Sequence, residues 1–128
     1  MRVFVTKGFK RLARRERIAD SSLCEAIRRA ERGLVDAELG GGVVKQRLAR
    51  PGQGRSGGYR VLIAYRARTL SVFLYGFAKS ERDNIGNDEL ATLRDIASGW
   101  FRADAKALAR AMTDGVIQEL RYDEDEKA

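Results

Sequence analysis

Residues 43–77 constrain the fold more than any other stretch, because they read as three strands in succession. Val43-Val44-Lys45-Gln46-Arg47-Leu48 alternates: Val43, Lys45 and Arg47 fall on one face, and Val44, Gln46 and Leu48 on the other. Residues 59–65 and 70–77 are rich in β-branched and aromatic side chains, and Ala67-Arg68-Thr69 between them suits a tight turn. Three strands with short connections make an antiparallel meander. Arg50-Pro51-Gly52-Gln53-Gly54-Arg55-Ser56-Gly57-Gly58 predicts an irregular loop before the second strand, since proline and four glycines oppose both regular structures.

The flanks predict one further strand and three helices. Residues 3–6 open the chain as a short strand. Residues 7–19 place Phe9, Leu12, Ala13 and Ile18 on a narrow apolar face among many bases, as a helix would. Ser22-Leu23-Cys24-Glu25 has the form of a capping box for a second helix. That helix buries Leu23, Ile27, Ala30 and Leu34, and Gly33 stops it. Gly40-Gly41-Gly42 marks a loop. After the meander, Asn87 or Asp88 caps one long helix that bends at Gly99 and ends at Gly115. Residues 116–120 form a last short strand or an irregular arm. The expected fold class is α+β, in the order β-α-α-β-β-β-α. An N-terminal helical hairpin and a C-terminal helix pack on one face of a small antiparallel sheet. With 128 residues the chain fits a single domain over residues 1–121 and an acidic tail over 122–128.

Charge is distributed unevenly. The whole chain carries +7, and Asp123, Glu124, Asp125 and Glu126 against Lys127 give the tail −3, which leaves +10 on the rest. Between Glu38 and Glu81 there is no acidic residue, yet Lys45, Arg47, Arg50, Arg55, Arg60, Arg66, Arg68 and Lys79 all lie there. Like charges repel, so a surface of bases alone implies a polyanionic partner. The single cysteine, Cys24, cannot form an internal disulfide and fits a reducing cytoplasm. No apolar run approaches the roughly 20 residues that span a bilayer, so no membrane is expected.

Absences narrow the chemistry. There is no histidine, which removes the usual neutral-pH acid or base and the Ser-His and Cys-His pairs. One cysteine without histidine excludes the common zinc sites, and no phosphate loop or dinucleotide fingerprint is present. Lys, Arg, Tyr and Ser on a basic sheet remain. RNA cleavage suits that set and needs neither metal nor cofactor, because the substrate supplies its own nucleophile, the 2′-hydroxyl. The protein positions the strand, moves protons and offsets the phosphorane charge. A lysine among arginines has its charged form disfavoured, as a base requires. The guanidinium fork matches phosphate oxygens, and an aromatic such as Tyr59 or Phe77 can stack an unpaired base. Arg60 interrupts a strand that otherwise reads Val-Leu-Ile-Ala-Tyr, which points to function. Arg66 and Arg68 read as solvated charges at the turn. Tyr65, Phe73, Trp100 and Cys24 read as core.

Three segments carry a resemblance. Val43-Val44-Lys45-Gln46-Arg47 is one. Gly52-Gln53-Gly54-Arg55-Ser56-Gly57-Gly58-Tyr59-Arg60 is the second, and Leu74-Tyr75-Gly76-Phe77-Ala78-Lys79-Ser80-Glu81-Arg82-Asp83-Asn84-Ile85 the third. Together they resemble the RelE/ParE superfamily of type II toxins, and within it the HigB-like, RelE-type branch. The resemblance covers about residues 42–86. It implies a ribosome-dependent mRNA endoribonuclease, neutralised by an antitoxin encoded nearby, expected to be a helix-turn-helix protein. It also implies that Lys45, Arg47, Arg60 and Lys79 form the catalytic set. Lys45 or Lys79 would act as base or acid, and Arg47 and Arg60 would hold the scissile phosphate. Arg50, Arg55 and Tyr59 would touch RNA. Phe77-Ala78 between Tyr75-Gly76 and Lys79 departs from the family pattern. Two other readings stand beside this one: a ParE-type toxin that inhibits DNA gyrase without catalysis, and an inactive RNA-binding module.

Overall fold

The first strand, β1 (Arg2–Thr6), lies inside the sheet and not at its margin. The computed structural model describes residues 1–50 and 54–123. After β1 come α1 (Lys7–Glu16), α2 (Asp20–Glu31), β2 (Ala37–Glu38), β3 (Val43–Arg50), β4 (Gly54–Arg66) and β5 (Leu70–Ala78). Then follow α3 (Asn87–Arg102), α4 (Ala105–Thr113) and β6 (Ile117–Leu120). The sheet order is β2-β3-β4-β5-β1-β6, with β1 parallel to β5 and every other pairing antiparallel. The expected meander is present as β3-β4-β5. Among the described residues the sheet is nevertheless mixed and six-stranded, and the element order has one more helix and two more strands than expected.

Helices cover both faces of the sheet, not one. On the first face α1 and α2 pack Phe9, Leu12, Leu23 and Ile27 against Val44, Val61, Ile63 and Phe73. On the second, Leu93, Ala97 and Leu108 of α3 and α4 pack against Leu62, Ala64, Val72 and Leu74. The reason is in the strands: Val61-Leu62-Ile63-Ala64 and Val72-Phe73-Leu74 are apolar on both sides, and β1 buries Val3, Phe4 and Val5 completely or nearly so. Strands without a polar side need two covering layers. No helix among the described residues is long and apolar enough to cross a membrane.

Local expectations shift in four places. Helix α2 begins at Asp20 behind Ala19, so Ser22 lies inside it and forms no capping box. Glu25 instead pairs with Arg29 one turn on, at 2.7 Å. Leu34, expected in the core, is 58% exposed, because the helix ends at Glu31 and the chain turns away at Gly33, whose φ is +82°. The long final helix is two helices that break at Ala103 and not at Gly99; Asp104 caps the second by accepting from the Ala107 amide at 2.8 Å. Last, the glycine-rich stretch is strand from Gly54 onward, and Arg50 pairs with Gly54. A Cβ on Gly58 would stand 1.9 Å from the Leu48 carbonyl oxygen, so glycine is what lets the two arms close.

A bulge in β5 prepares the site. Leu62 faces Tyr75 and Ile63 faces Phe73, which leaves Leu74 as the extra residue. Beyond it Tyr75 and Phe77 turn to the α3 face, while Gly76 lies against Phe9 and Leu12 of α1.

Candidate nucleic-acid interface

Pairing across β3, β4 and β5 assembles three of the four expected catalytic residues on one face. Arg47 stands opposite Arg60, which stands opposite Phe77. Lys45 stands opposite Leu62, two residues along on the same side of β3. Directly opposed residues have Cβ atoms about 4.5–5.5 Å apart, and diagonal neighbours lie within reach of long side chains, so Lys45, Arg47 and Arg60 form one cluster. Arg60 is only 7% exposed, Lys45 is half-buried and Arg47 is exposed. Lys79 follows the last residue of β5, with its amide donating to the Gly58 carbonyl at 3.0 Å, and its side chain is exposed at that end. Among the described residues, neither Lys45 nor Lys79 makes a side-chain hydrogen bond or ion pair.

Carboxylates from outside the acid-free stretch frame the cluster. Asp36 accepts from the Arg47 amide at 2.7 Å and from its guanidinium at 3.1 Å. Burial would raise the Asp36 carboxyl, but those bonds and the charges of Arg47 and Arg29 hold it below the usual range. Behind it, Arg29 is buried and donates to Glu25, Asp36 and the Arg47 carbonyl oxygen, the last at 2.5 Å. At the other border Glu89 grips Arg82 with bonds of 2.7 and 3.1 Å, and also accepts from the Gly86 amide at the start of α3. The hydrogen bonds from the Arg82 guanidinium, more than any other influence, lower the Glu89 carboxyl to about 2. The Arg82 guanidinium lies 5.4 Å above the Phe77 ring centre and donates to the Tyr75 hydroxyl at 3.2 Å.

Of the expected RNA-contacting set, Tyr59 and Arg50 do not join this cluster. Tyr59 is 3% exposed on the opposite face, where its hydroxyl donates to Glu16 at 3.1 Å. Arg50 lies over the Tyr59 ring at 5.6 Å. The side chain of Arg55 lies outside the described residues, as do Pro51, Gly52, Gln53 and the tail residues 124–128. At the turn, Arg66 lies 4.6 Å above the Phe101 ring centre, and the backbone amide of Arg68, which is exposed, donates to Glu31 at 3.1 Å. Tyr65 donates to Glu31 as well, and Phe73 and Cys24 are buried. Trp100 packs half-buried against the core under α3.

The sequence matches the family described as the RelE toxin of the RelE/RelB toxin-antitoxin system over residues 1–120. The chain belongs to the RelE toxin family. No curated protein matches it. The match runs far beyond residues 42–86 and takes in both helical layers and β6. Membership makes this RelE-family chain a toxin of a toxin-antitoxin pair, with an antitoxin as its partner. Sequence reasoning passed over Asp36, Arg82 and Glu89 in this RelE fold. For Arg82 and Glu89 a signal existed: Glu89 stands three residues after Gly86, the spacing by which a Glu side chain reaches back to a helix cap. Asp36 had none, because only the pairing of Ala37 with Lys45 brings it to Arg47.

Proposed function

We propose that the chain is an mRNA endoribonuclease of the HigB-like, RelE-type branch, acting on the ribosome without a metal or cofactor. The observation that carries this reading is Arg60, a nearly buried guanidinium in register with Arg47 and diagonal to Lys45 at the end of one sheet face. A positive charge fixed in place and shielded from water stabilises developing negative charge better than a solvated one. In this reading Arg60 and Arg47 hold the scissile phosphate. Lys45 and Lys79 share the proton transfers: one takes the proton of the 2′-hydroxyl as it attacks phosphorus, and the other gives a proton to the departing 5′-oxygen. The products are a 2′,3′-cyclic phosphate and a free 5′-hydroxyl. The cognate antitoxin, encoded nearby and of helix-turn-helix type, covers this basic face with acidic and apolar side chains.

The test is primer extension on a defined mRNA in a purified translation system. The wild-type chain produces new 5′ ends that appear only with ribosomes present. Arg60→Met, which keeps the apolar stem, and the double variant Lys45→Ala/Lys79→Ala each lower the cleavage rate by about 10²-fold or more. An intact message with inhibited gyrase supercoiling would overturn the reading in favour of a ParE-type toxin. An intact message with RNA still bound would overturn it in favour of an inactive binding module.

A further inference from the structure

Helix α1 carries Lys7, Lys10, Arg11, Arg14 and Arg15 against one acid, Glu16. Glu16 is already engaged, with Arg15 at 3.5 Å and with Tyr59. Lys7, Lys10, Arg11 and Arg14 follow the i, i+3, i+4, i+7 spacing that puts side chains on one helix face. All four line a groove of about 500 Å³ between α1 and the corner where α4 meets β6, with Met112 and Ile117 in the opposite wall. Among the described residues no acidic side chain lines it. Among the described residues none of these four side chains makes a hydrogen bond or ion pair. Four arginines elsewhere do pair with a carboxylate: Arg2 with Glu119, Arg29 with Glu25, Arg47 with Asp36 and Arg82 with Glu89. The first turn of α1 has no acid, so Lys7 and Lys10 also stand against the positive end of the helix dipole. Four uncompensated charges in one concave surface raise the local potential, and a polyanion lowers it.

We propose that this groove is a second RNA-binding surface, one that grips the phosphate backbone of base-paired RNA. Single-strand sites pair basic side chains with aromatic rings on which bases stack, and among the described residues no aromatic side chain lines this groove. Charge without stacking suits a duplex, whose bases are inside and whose phosphates are outside. The groove is also separate from the candidate cleavage face. It lies at the β1–β6 edge of the sheet, whereas Lys45, Arg47 and Arg60 stand on β3 and β4, on the far side of β5. The strand to be cut and the duplex held by α1 are therefore bound at different places. The assignment of RNA rests on the function proposed above; the location and the charge do not.

The test is fluorescence anisotropy with a labelled, 2′-O-methylated RNA hairpin, which cannot be cleaved, across about 50 to 200 mM salt. In Lys7→Gln/Lys10→Gln/Arg11→Gln/Arg14→Gln the log–log salt slope flattens by about 3, so an approximately fourfold rise in salt weakens this variant roughly 60-fold less than the wild type. Lys7→Gln/Arg14→Gln gives about half that change, which separates lost contacts from lost folding. An unchanged slope overturns the proposal. So does a loss confined to an acidic polypeptide such as polyglutamate. Arg60→Met loses cleavage and flattens the slope by no more than the one phosphate contact assigned to Arg60, so failure of the cleavage reading and failure of the α1 surface give different results.

Discussion

Asp36 sits between two arginines, and the network around it reaches from the core to the candidate site. Its carboxylate accepts from the Arg47 guanidinium on the exposed side and lies 3.5 Å from the buried Arg29 on the other. Replacing it by Asn removes charge from both contacts, although Glu25 and the Arg47 carbonyl still receive Arg29. Asp36→Asn is therefore expected to cost about 1–3 kcal/mol at neutral pH, as for hydrogen bonds to charged groups. The sign with pH follows from the lowered carboxyl. A carboxylate held below its unfolded value contributes its full stability above that value, near 4, and loses it as pH falls through the folded value. Urea unfolding of wild type and Asp36→Asn should show a gap that is widest at neutral pH and closes on acidification. A gap that stays constant with pH would mean that the carboxylate charge is not what matters. The basic members of this cluster were legible one at a time, since Lys45 and Arg47 alternate on a strand and Arg60 interrupts an apolar run. Asp36 was not, because its role depends on a strand of two residues, and two residues carry no periodicity.

Two glycines make opposite predictions for the elements that hold them. Gly58 lies where β4 closes on β3, and a Cβ there would meet the Leu48 carbonyl oxygen at 1.9 Å and the Arg50 amide nitrogen at 2.9 Å. Both are backbone atoms, so the strands themselves would have to part. Gly58→Ala should cost at least about 1–3 kcal/mol, as overpacking does, and should also loosen Lys79, whose amide donates to the Gly58 carbonyl. Gly99 lies inside α3 with nothing within 4 Å of its Cβ position and no positive φ. Gly99→Ala should stabilise by about 0.4–1 kcal/mol by restricting the unfolded chain. Thermal denaturation of both variants checks the pair, and a stabilised Gly58→Ala would refute the close approach. The same residues show why local reading went astray. Glycine and proline in residues 50–58 signal departure from ideal geometry, but the signal is identical for a loop and for a strand pair that must come unusually close. Gly99 signals a weak point in a helix, yet the break falls at Ala103 because Asp104 offers a side-chain cap and Gly99 does not.

At the scale of the molecule, the sheet closes through the two ends of the matched region. β1 pairs with β5 on one side and with β6 on the other, Val3 opposite Leu120 and Thr6 opposite Ile117. The meander was readable because its strands are neighbours in sequence with short connections. The insertion of β1 beside β5 is a pairing across almost seventy residues, and the chain between them holds no trace of it. The apolar run Val3-Phe4-Val5, buried on both faces, was the available hint that this strand is interior. The arrangement makes β6 more than an arm. Ile117 and Leu120 are 3% and 4% exposed and belong to opposite core layers. Burying one such side chain contributes about 1.5–3 kcal/mol. Losing both, with the ladder to β1, removes much of the roughly 5–15 kcal/mol that holds a domain folded. It also takes away Glu119, which pairs with Arg2 at 2.9 Å. A chain ending at Gly115 should therefore lose its cooperative urea transition, or show a midpoint far below that of the full chain. The side-chain version, Ile117→Ala/Leu120→Ala, keeps the backbone ladder and should be destabilised by about 4–10 kcal/mol, taking 2–5 for each site. If the truncated chain unfolded at the wild-type midpoint, β6 would be an ornament on a sheet that already ends at β1, and the closing role assigned to it here would fail.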